Sequence, residues 1–146
     1  MIVAPGQGAQ TPGFLQPWLE DPTFASRFDW LSAVAGLDLA HYGTEADAET
    51  IRDTRIAQPL LVAALELFPH PADAFAHIGA VAGHSVGEIA AAAGARVITA
   101  EQAMVLVRER GRAMADASAT TPTGMTAVLG GDREEVLAAL ERHGLT

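Results

Sequence analysis

The run from Ile78 to Ala93 constrains the fold more than any other part of the chain. Ile78-Gly79-Ala80-Val81-Ala82 reads as a strand of small residues, and from Val86 to about Ala93 the pattern is helical and almost wholly apolar. Between them, Gly83-His84-Ser85-Val86-Gly87 fits G-x-S-x-G, a strained strand-to-helix turn that leaves the serine hydroxyl exposed at a helix N-terminus. Glycine is needed at both flanks because a Cβ would clash where the backbone folds that tightly. The Val86 N–H and the positive end of the helix dipole would then face any oxyanion formed when Ser85 attacks an acyl group. The alternative is an ordinary turn, where glycine and serine also meet.

A serine nucleophile needs a group to take its proton, and composition narrows the choice. Cysteine and lysine are both absent, and the 9 Lys/Arg positions are all arginine. Their absence excludes disulfide frameworks, thiolate nucleophiles, cysteine-bearing zinc sites, a Walker phosphate loop, Schiff-base catalysis and a Ser-Lys dyad. His84 is adjacent to Ser85, but neighbours at such an elbow project in different directions, so its imidazole does not line up with Oγ. It is expected instead to pack beneath the elbow and bond to nearby backbone. His70 and His77 recur at equal spacing, yet Pro69 and Pro71 break any shared helix, so no metal site is expected. His41 and His143 read as surface residues.

A formal net charge of −9 argues against nucleic-acid or membrane-surface binding, both of which favour a basic field. With 146 residues the chain can bury one ordinary core, as a single domain or as a fragment of a larger one. Met1 to Ala4, followed at once by Pro5-Gly6, is too short and uncharged for a signal peptide, and no long apolar run occurs, so a cytoplasmic location is expected.

Along the rest of the chain, Ile2-Val3-Ala4 is predicted as a short buried strand entering the loop Pro5 to Gln10. Asp21 as N-cap and Pro22 as first residue predict a helix with Phe24, Phe28 and Leu31 inward. Gly36 to Thr44 is expected as a connector. Gln58-Pro59 is expected to open a helix with Leu61, Ala64, Leu65 and Phe68 on one face, stopped by Pro69 and Pro71. Thr99 and Gln102 predict a capping box for a helix through Ala115, with Ala103, Leu106, Val107, Arg110 and Met114 on one stripe. One arginine thus lies on an apolar face. After a polar linker from Ser118 to Thr123, Met125 to Leu129 is expected as a strand, and Asp132 with Glu135 to cap a helix through Glu141, the start of a second subdomain.

Gly6-Gln7-Gly8-Ala9-Gln10 lacks the third glycine of a dinucleotide fingerprint. Taken in order, Pro5-Gly6-Gln7-Gly8-Ala9-Gln10, Gln58-Pro59, Gly83-His84-Ser85-Val86-Gly87-Glu88 and Arg110-Gly111-Arg112-Ala113-Met114 resemble the malonyl-CoA:acyl carrier protein transacylases and the acyltransferase domains of fatty-acid and polyketide synthases, especially the actinobacterial, Streptomyces-like stand-alone enzymes. The resemblance implies an α/β fold: an α/β-hydrolase-like core with a parallel sheet and nucleophile elbow, followed by the start of a small ferredoxin-like subdomain. Residues 1–120 would belong to the core, and 121–146 would supply the first strand and helix of the subdomain. It further implies Ser85 as nucleophile, the backbone N–H groups of Gln7 and Val86 as the oxyanion hole, and Arg110 as the holder of the malonyl carboxylate. Gly6, Gly8, Gly83, His84 and Gly87 would be supporting motif residues. A guanidinium suits that role because it pairs with a carboxylate through two parallel hydrogen bonds. The alternative for Arg110 is a structural ion pair with an internal acid. An apolar residue at Val86 goes, in this family, with malonyl preference over the branched methylmalonyl unit.

The implied activity is ping-pong transfer of malonyl from coenzyme A to the phosphopantetheine thiol of acyl carrier protein, with both as substrates and no bound cofactor. The partners are malonyl-CoA, the carrier protein and a missing C-terminal half, with no nucleic acid and no membrane. Arg108 and Arg112 are candidates for steering the carrier protein, against the reading that they are solvated helix-face charges. Three departures stand out: the first strand begins almost at Met1, Arg96 stands where relatives usually carry glycine, and Phe68-Pro69-His70-Pro71 is unfamiliar. Family domains are also about twice as long. The base for Ser85 is therefore expected outside residues 1–146, and the sheet of an isolated segment is expected to be truncated with an open edge. The rival functions are a serine hydrolase, which gives no reason for the arginine, and a non-catalytic fragment or docking module.

Overall fold

The computed structural model describes residues 1–66, 78–121 and 128–145. Two three-residue strands, β1 (Ile2–Ala4) and β2 (Val81–Gly83), pair in parallel with Ile2 opposite Val81 and Ala4 opposite Gly83. The Ile2 N–H donates to Ala80 O and the His84 N–H to Ala4 O, each at 3.0 Å, so the pairing extends to the elbow itself. Only Ala4 of β1 is buried, contrary to the expected buried strand: among the described residues the sheet has two strands, which leaves Ile2 and Val3 uncovered.

Between the strands run α1 (Gln16–Leu19), α2 (Pro22–Ala35), α3 (Leu39–Thr44), a 3₁₀ turn (Thr50–Arg52) and α4 (Thr54–Glu66). After β2 come α5 (Gly87–Gly94), α6 (Ala100–Thr120) and α7 (Arg133–Arg142). The caps explain most boundaries. Asp21 accepts from the Thr23 N–H with Pro22 next, Thr99 and Gln102 form the reciprocal capping box, and Asp132 accepts from Glu134 and Glu135. The expected connector from Gly36 contains α3, because Asp38 accepts from the His41 N–H and Leu39 is fully buried.

Two further boundaries differ from expectation. The helix assigned to begin at Gln58-Pro59 starts at Thr54, since Asp53 accepts from the Arg55 N–H at 2.8 Å and Pro59 then lies inside α4. The long helix runs to Thr120 instead of Ala115, fastened there by the Arg55–Asp116 ion pair at 2.6 Å. Phe68, Pro69 and Pro71 lie outside the described residues, as do His70, His77 and Met125 to Ala127; Val128 and Leu129 are exposed and not in a strand.

The core sits where α2, α4, α5 and α6 meet, filled by Phe28, Leu31, Leu60, Val62, Val86, Met104 and Val107. The buried stripe of α6 is Ala103, Met104, Val107 and Gly111; Leu106 and Met114, placed on it by periodicity, are about half exposed. Gly111 decides how α6 meets α4: a Cβ there would stand 2.9 Å from Thr54 O, so only glycine permits this backbone approach. Among the described residues, no helix is long and apolar enough to cross a membrane.

Candidate active site

The elbow has the strain its sequence predicts. Ser85 takes φ 55°, in the left-handed region, and α5 starts two residues later. A Cβ on Gly83 would run into the backbone of Gly87 and Glu88, and one on Gly87 would overlap Ala4 O and reach within 2.6 Å of Pro5 O. Both glycines are thus fixed by backbone, and their tight fit seats the helix directly against β1. Ser85 itself is exposed, while the Val86 side chain is fully buried in the core beneath it. The Val86 N–H and the Gln7 N–H, the latter in the loop after β1, are both left without an acceptor among the described residues.

His84 is exposed and does not lie beneath the elbow, where Ala4 and Pro5 already occupy the space against Gly87. Its ring lies instead over Gly6, whose missing Cβ makes room for the imidazole Nδ1. Its backbone does bond locally, donating to Ala4 O and accepting from the Gly87 N–H, both at 3.0 Å. Among the described residues no hydrogen bond joins the imidazole to Ser85, whose Oγ accepts from Arg110 instead.

The loop from Pro5 to Gln10 is held from two sides. Gly8 has φ 106°, open only to glycine without strain, and its N–H donates to Gln10 Oε1 at 2.9 Å. The Gln10 amide donates in turn to Ile51 O at 2.9 Å. The Gln7 side chain reaches across to Thr54 Oγ1 at 3.1 Å and Arg52 O at 3.4 Å.

Arg110 closes the arrangement from α6. Its Nη2 donates to Ser85 Oγ at 3.2 Å and its Nη1 to Gln58 Oε1 at 2.7 Å. Both acceptors are neutral. Among the described residues Arg110 has no carboxylate within ion-pair distance, although Glu88 and Glu109 line the same open cleft with Ser85, Ile89 and Leu106. The structural ion pair with an internal acid is therefore not formed there, and the charge is left for a ligand. Arg108 and Arg112 differ: both engage Glu109, at 3.0 and 3.5 Å, and Arg108 also donates to Val34 O. Local acid thus already offsets the two arginines considered for carrier-protein steering.

The acyl transferase domain profile matches residues 1–142. The chain belongs to the acyl transferase domain family. The malonyl CoA-acyl carrier protein transacylase of Mycobacterium bovis is 53% identical over 149 residues, covering 99% of this chain and 49% of that protein. The crystal structure of MCAT from Mycobacterium tuberculosis matches with a TM-score of 0.87 and 53% identity, covering 99% of this chain and 49% of its own. A structure of a type II PKS acyl-carrier protein in complex with its malonyl-transacylase matches with a TM-score of 0.78 and 31% identity, over 97% of this chain and 47% of that one. The chain spans about half the length of the curated relatives it matches. Its α/β character, with a small parallel sheet, fits these neighbours.

One residue of this acyl transferase domain had no role in the sequence reading beyond its motif. Gln58 is 1% exposed and touches Gln7, Arg110 and Met114 at once. A glutamine at a buried position of an amphipathic helix was the available signal, because a buried amide needs partners.

Proposed function

We propose that the chain is the nucleophile-bearing part of a malonyl-CoA:acyl carrier protein transacylase. Ser85 Oγ attacks the thioester carbonyl of malonyl-CoA, the C–S bond breaks, and coenzyme A leaves as its thiol with the proton lost by the serine. The phosphopantetheine thiol of acyl carrier protein then attacks the seryl ester, the C–O bond breaks, and Oγ regains a proton. The backbone N–H groups of Gln7 and Val86 receive the oxyanion in both steps. Arg110 holds the malonyl carboxylate, which places the thioester over Ser85. Coenzyme A and carrier protein are substrates here, and the scheme uses no bound cofactor or metal.

The observation that carries this reading is the charge of Arg110, unpaired among the described residues yet within hydrogen-bond distance of Ser85 Oγ. A hydrolase of uncharged esters has no use for it. The names of the similar proteins support malonyl as the acyl group, and the complex of a malonyl-transacylase with its carrier protein supports the acceptor. No histidine or carboxylate among the described residues bonds to Ser85 Oγ, so we assign the general base to the half of the relatives' length that this chain does not span. In the same reading residues 1–120 form the N-terminal part of an α/β-hydrolase-like core, and 121–146 open a ferredoxin-like subdomain of which α7 is the first helix.

Intact mass after incubation of the full-length protein with malonyl-CoA tests the chemistry: a malonyl adduct is expected, and none on Ser85→Ala. Arg110→Ala should lower kcat/KM for malonyl-CoA far more than for acetyl-CoA, because only malonyl loses a charged partner. Equal losses, or turnover unaffected by added carrier protein, would overturn the assignment in favour of a hydrolase.

A further inference from the structure

The oxyanion loop and the carboxylate-binding arginine are joined by a chain of side-chain amides whose direction is fixed at both ends. At one end, Arg52 O can only accept, so the Gln7 amide must turn its NH₂ toward it, where it also reaches Thr54 Oγ1. Gln7 Oε1 then faces Gln58 and accepts from its Nε2 at 3.2 Å. That leaves Gln58 Oε1 for Arg110 Nη1 at 2.7 Å, and a guanidinium can only donate. Flipping either amide would set donor against donor or acceptor against acceptor, so the ends dictate the orientation of both. The second Gln58 N–H is not left over, since Nε2 also lies 3.2 Å from Met114 Sδ. At 1% exposure the Gln58 amide has no water to substitute for a lost partner.

From this we infer that Gln58 is a positioning residue that ties the Gln7 loop to Arg110 and, by meeting the guanidinium with a neutral oxygen, keeps its charge available for the acyl carboxylate. The inference rests on the malonyl-transfer reading above. Arg110 needs a strong acceptor to hold it beside Ser85, and an acid in that place would neutralise it and compete with substrate. A glutamine carbonyl holds without neutralising. Because the same side chain also anchors Gln7, whose main-chain N–H is assigned above to the oxyanion, the two ends of the bound malonyl thioester are registered against one another through a single residue.

Gln58→Glu in the full-length protein tests this against a bystander role. The new carboxylate pairs with Arg110 and turns an acceptor toward Gln7 Oε1. KM for malonyl-CoA should rise while KM for acetyl-CoA does not, and the malonyl-to-acetyl ratio of kcat/KM should fall by about tenfold or more, the worth of a charged hydrogen bond. In an Arg110→Ala background the same substitution should leave that ratio unchanged, because the charge it acts through is gone. Gln58→Met keeps the volume, removes both polar links and adds no charge; it should lower kcat for both acyl donors with little change in their ratio, which supplies a reading if the glutamate variant does not fold. An unchanged ratio in Gln58→Glu, an equal fall in the Arg110→Ala background, or full activity in Gln58→Met would overturn the inference. Failure of the malonyl reading itself is distinguishable, because it would appear in Arg110→Ala alone as equal loss of both substrates.

Discussion

Ser85 holds a left-handed backbone with φ 55°, and the strain can be measured apart from the chemistry by comparing Ser85→Ala with Ser85→Gly. Both variants lack Oγ, and with it the Arg110 contact at 3.2 Å, so that loss cancels between them. Alanine keeps a Cβ against the following carbonyl, which costs about 1–2 kcal/mol in this region, while glycine avoids it but gives back about 0.4–1 kcal/mol through its freer unfolded chain. The balance leaves Ser85→Gly more stable than Ser85→Ala by about 1 kcal/mol, or about 3 °C in melting temperature for a chain of this size. Urea unfolding of the two variants, followed by far-ultraviolet circular dichroism with equal m-values, is the assay. A Ser85→Gly variant no more stable than Ser85→Ala would mean that the elbow relaxes without cost and that the strain argument is wrong.

Arg96 provides the parallel case away from the site, with φ 60° at an exposed position just after α5: Arg96→Gly should gain about 1 kcal/mol and Arg96→Ala almost nothing, by the same denaturation. Gly87→Ala should cost about 1–3 kcal/mol, because the new methyl meets the carbonyls of Ala4 and Pro5, which cannot rotate aside; an unchanged denaturation midpoint would contradict the tight seating of α5 on β1. Glu66 is buried, and burial raises its pKa above the ordinary value near 4.5 against the opposing pull of Arg27, 3.8 Å away. Folding therefore favours its protonated form. Its contribution is fully present below about 4.5 and is lost as pH climbs through the raised value, so Glu66→Gln should gain on the parent protein over that window and lose its advantage in acid, as read from paired pH titrations of stability.

The elbow was legible in the sequence because its constraint is local: two glycines flanking a serine, between an extended run and an apolar helix, leave the backbone few other solutions. The caps at Asp21, Thr99 and Asp132 were legible for the same reason. Misreadings arose where a second contact, near or distant, overruled the first local signal. Pro59 looked like a helix start, but Asp53 caps the helix six residues earlier, and α4 carries the proline inside it. Leu106 and Met114 share the periodicity of a core stripe, yet α6 meets α4 along Gly111, and this leaves both about half exposed, with Leu106 in the cleft wall and Met114 against Gln58. Gln58 was the hardest to read: its partners Gln7 and Arg110 are 51 and 52 residues away, and nothing local to a glutamine states what its two ends will face.

Gly111 carries a consequence beyond packing. It is the neighbour of the arginine that reaches Ser85, and the Thr54 carbonyl sits where its side chain would be. Any larger residue would act as a shim between the two helices, lifting α6 and the guanidinium with it. A displacement of about 1 Å is enough to cost about 10²-fold when a reacting group must meet its target in a near-attack geometry. On the proposed malonyl-transfer reading, the span from the substrate's charged end to its attacked carbon is thus gauged by a residue that touches neither end, and its setting is the absence of a single methyl group.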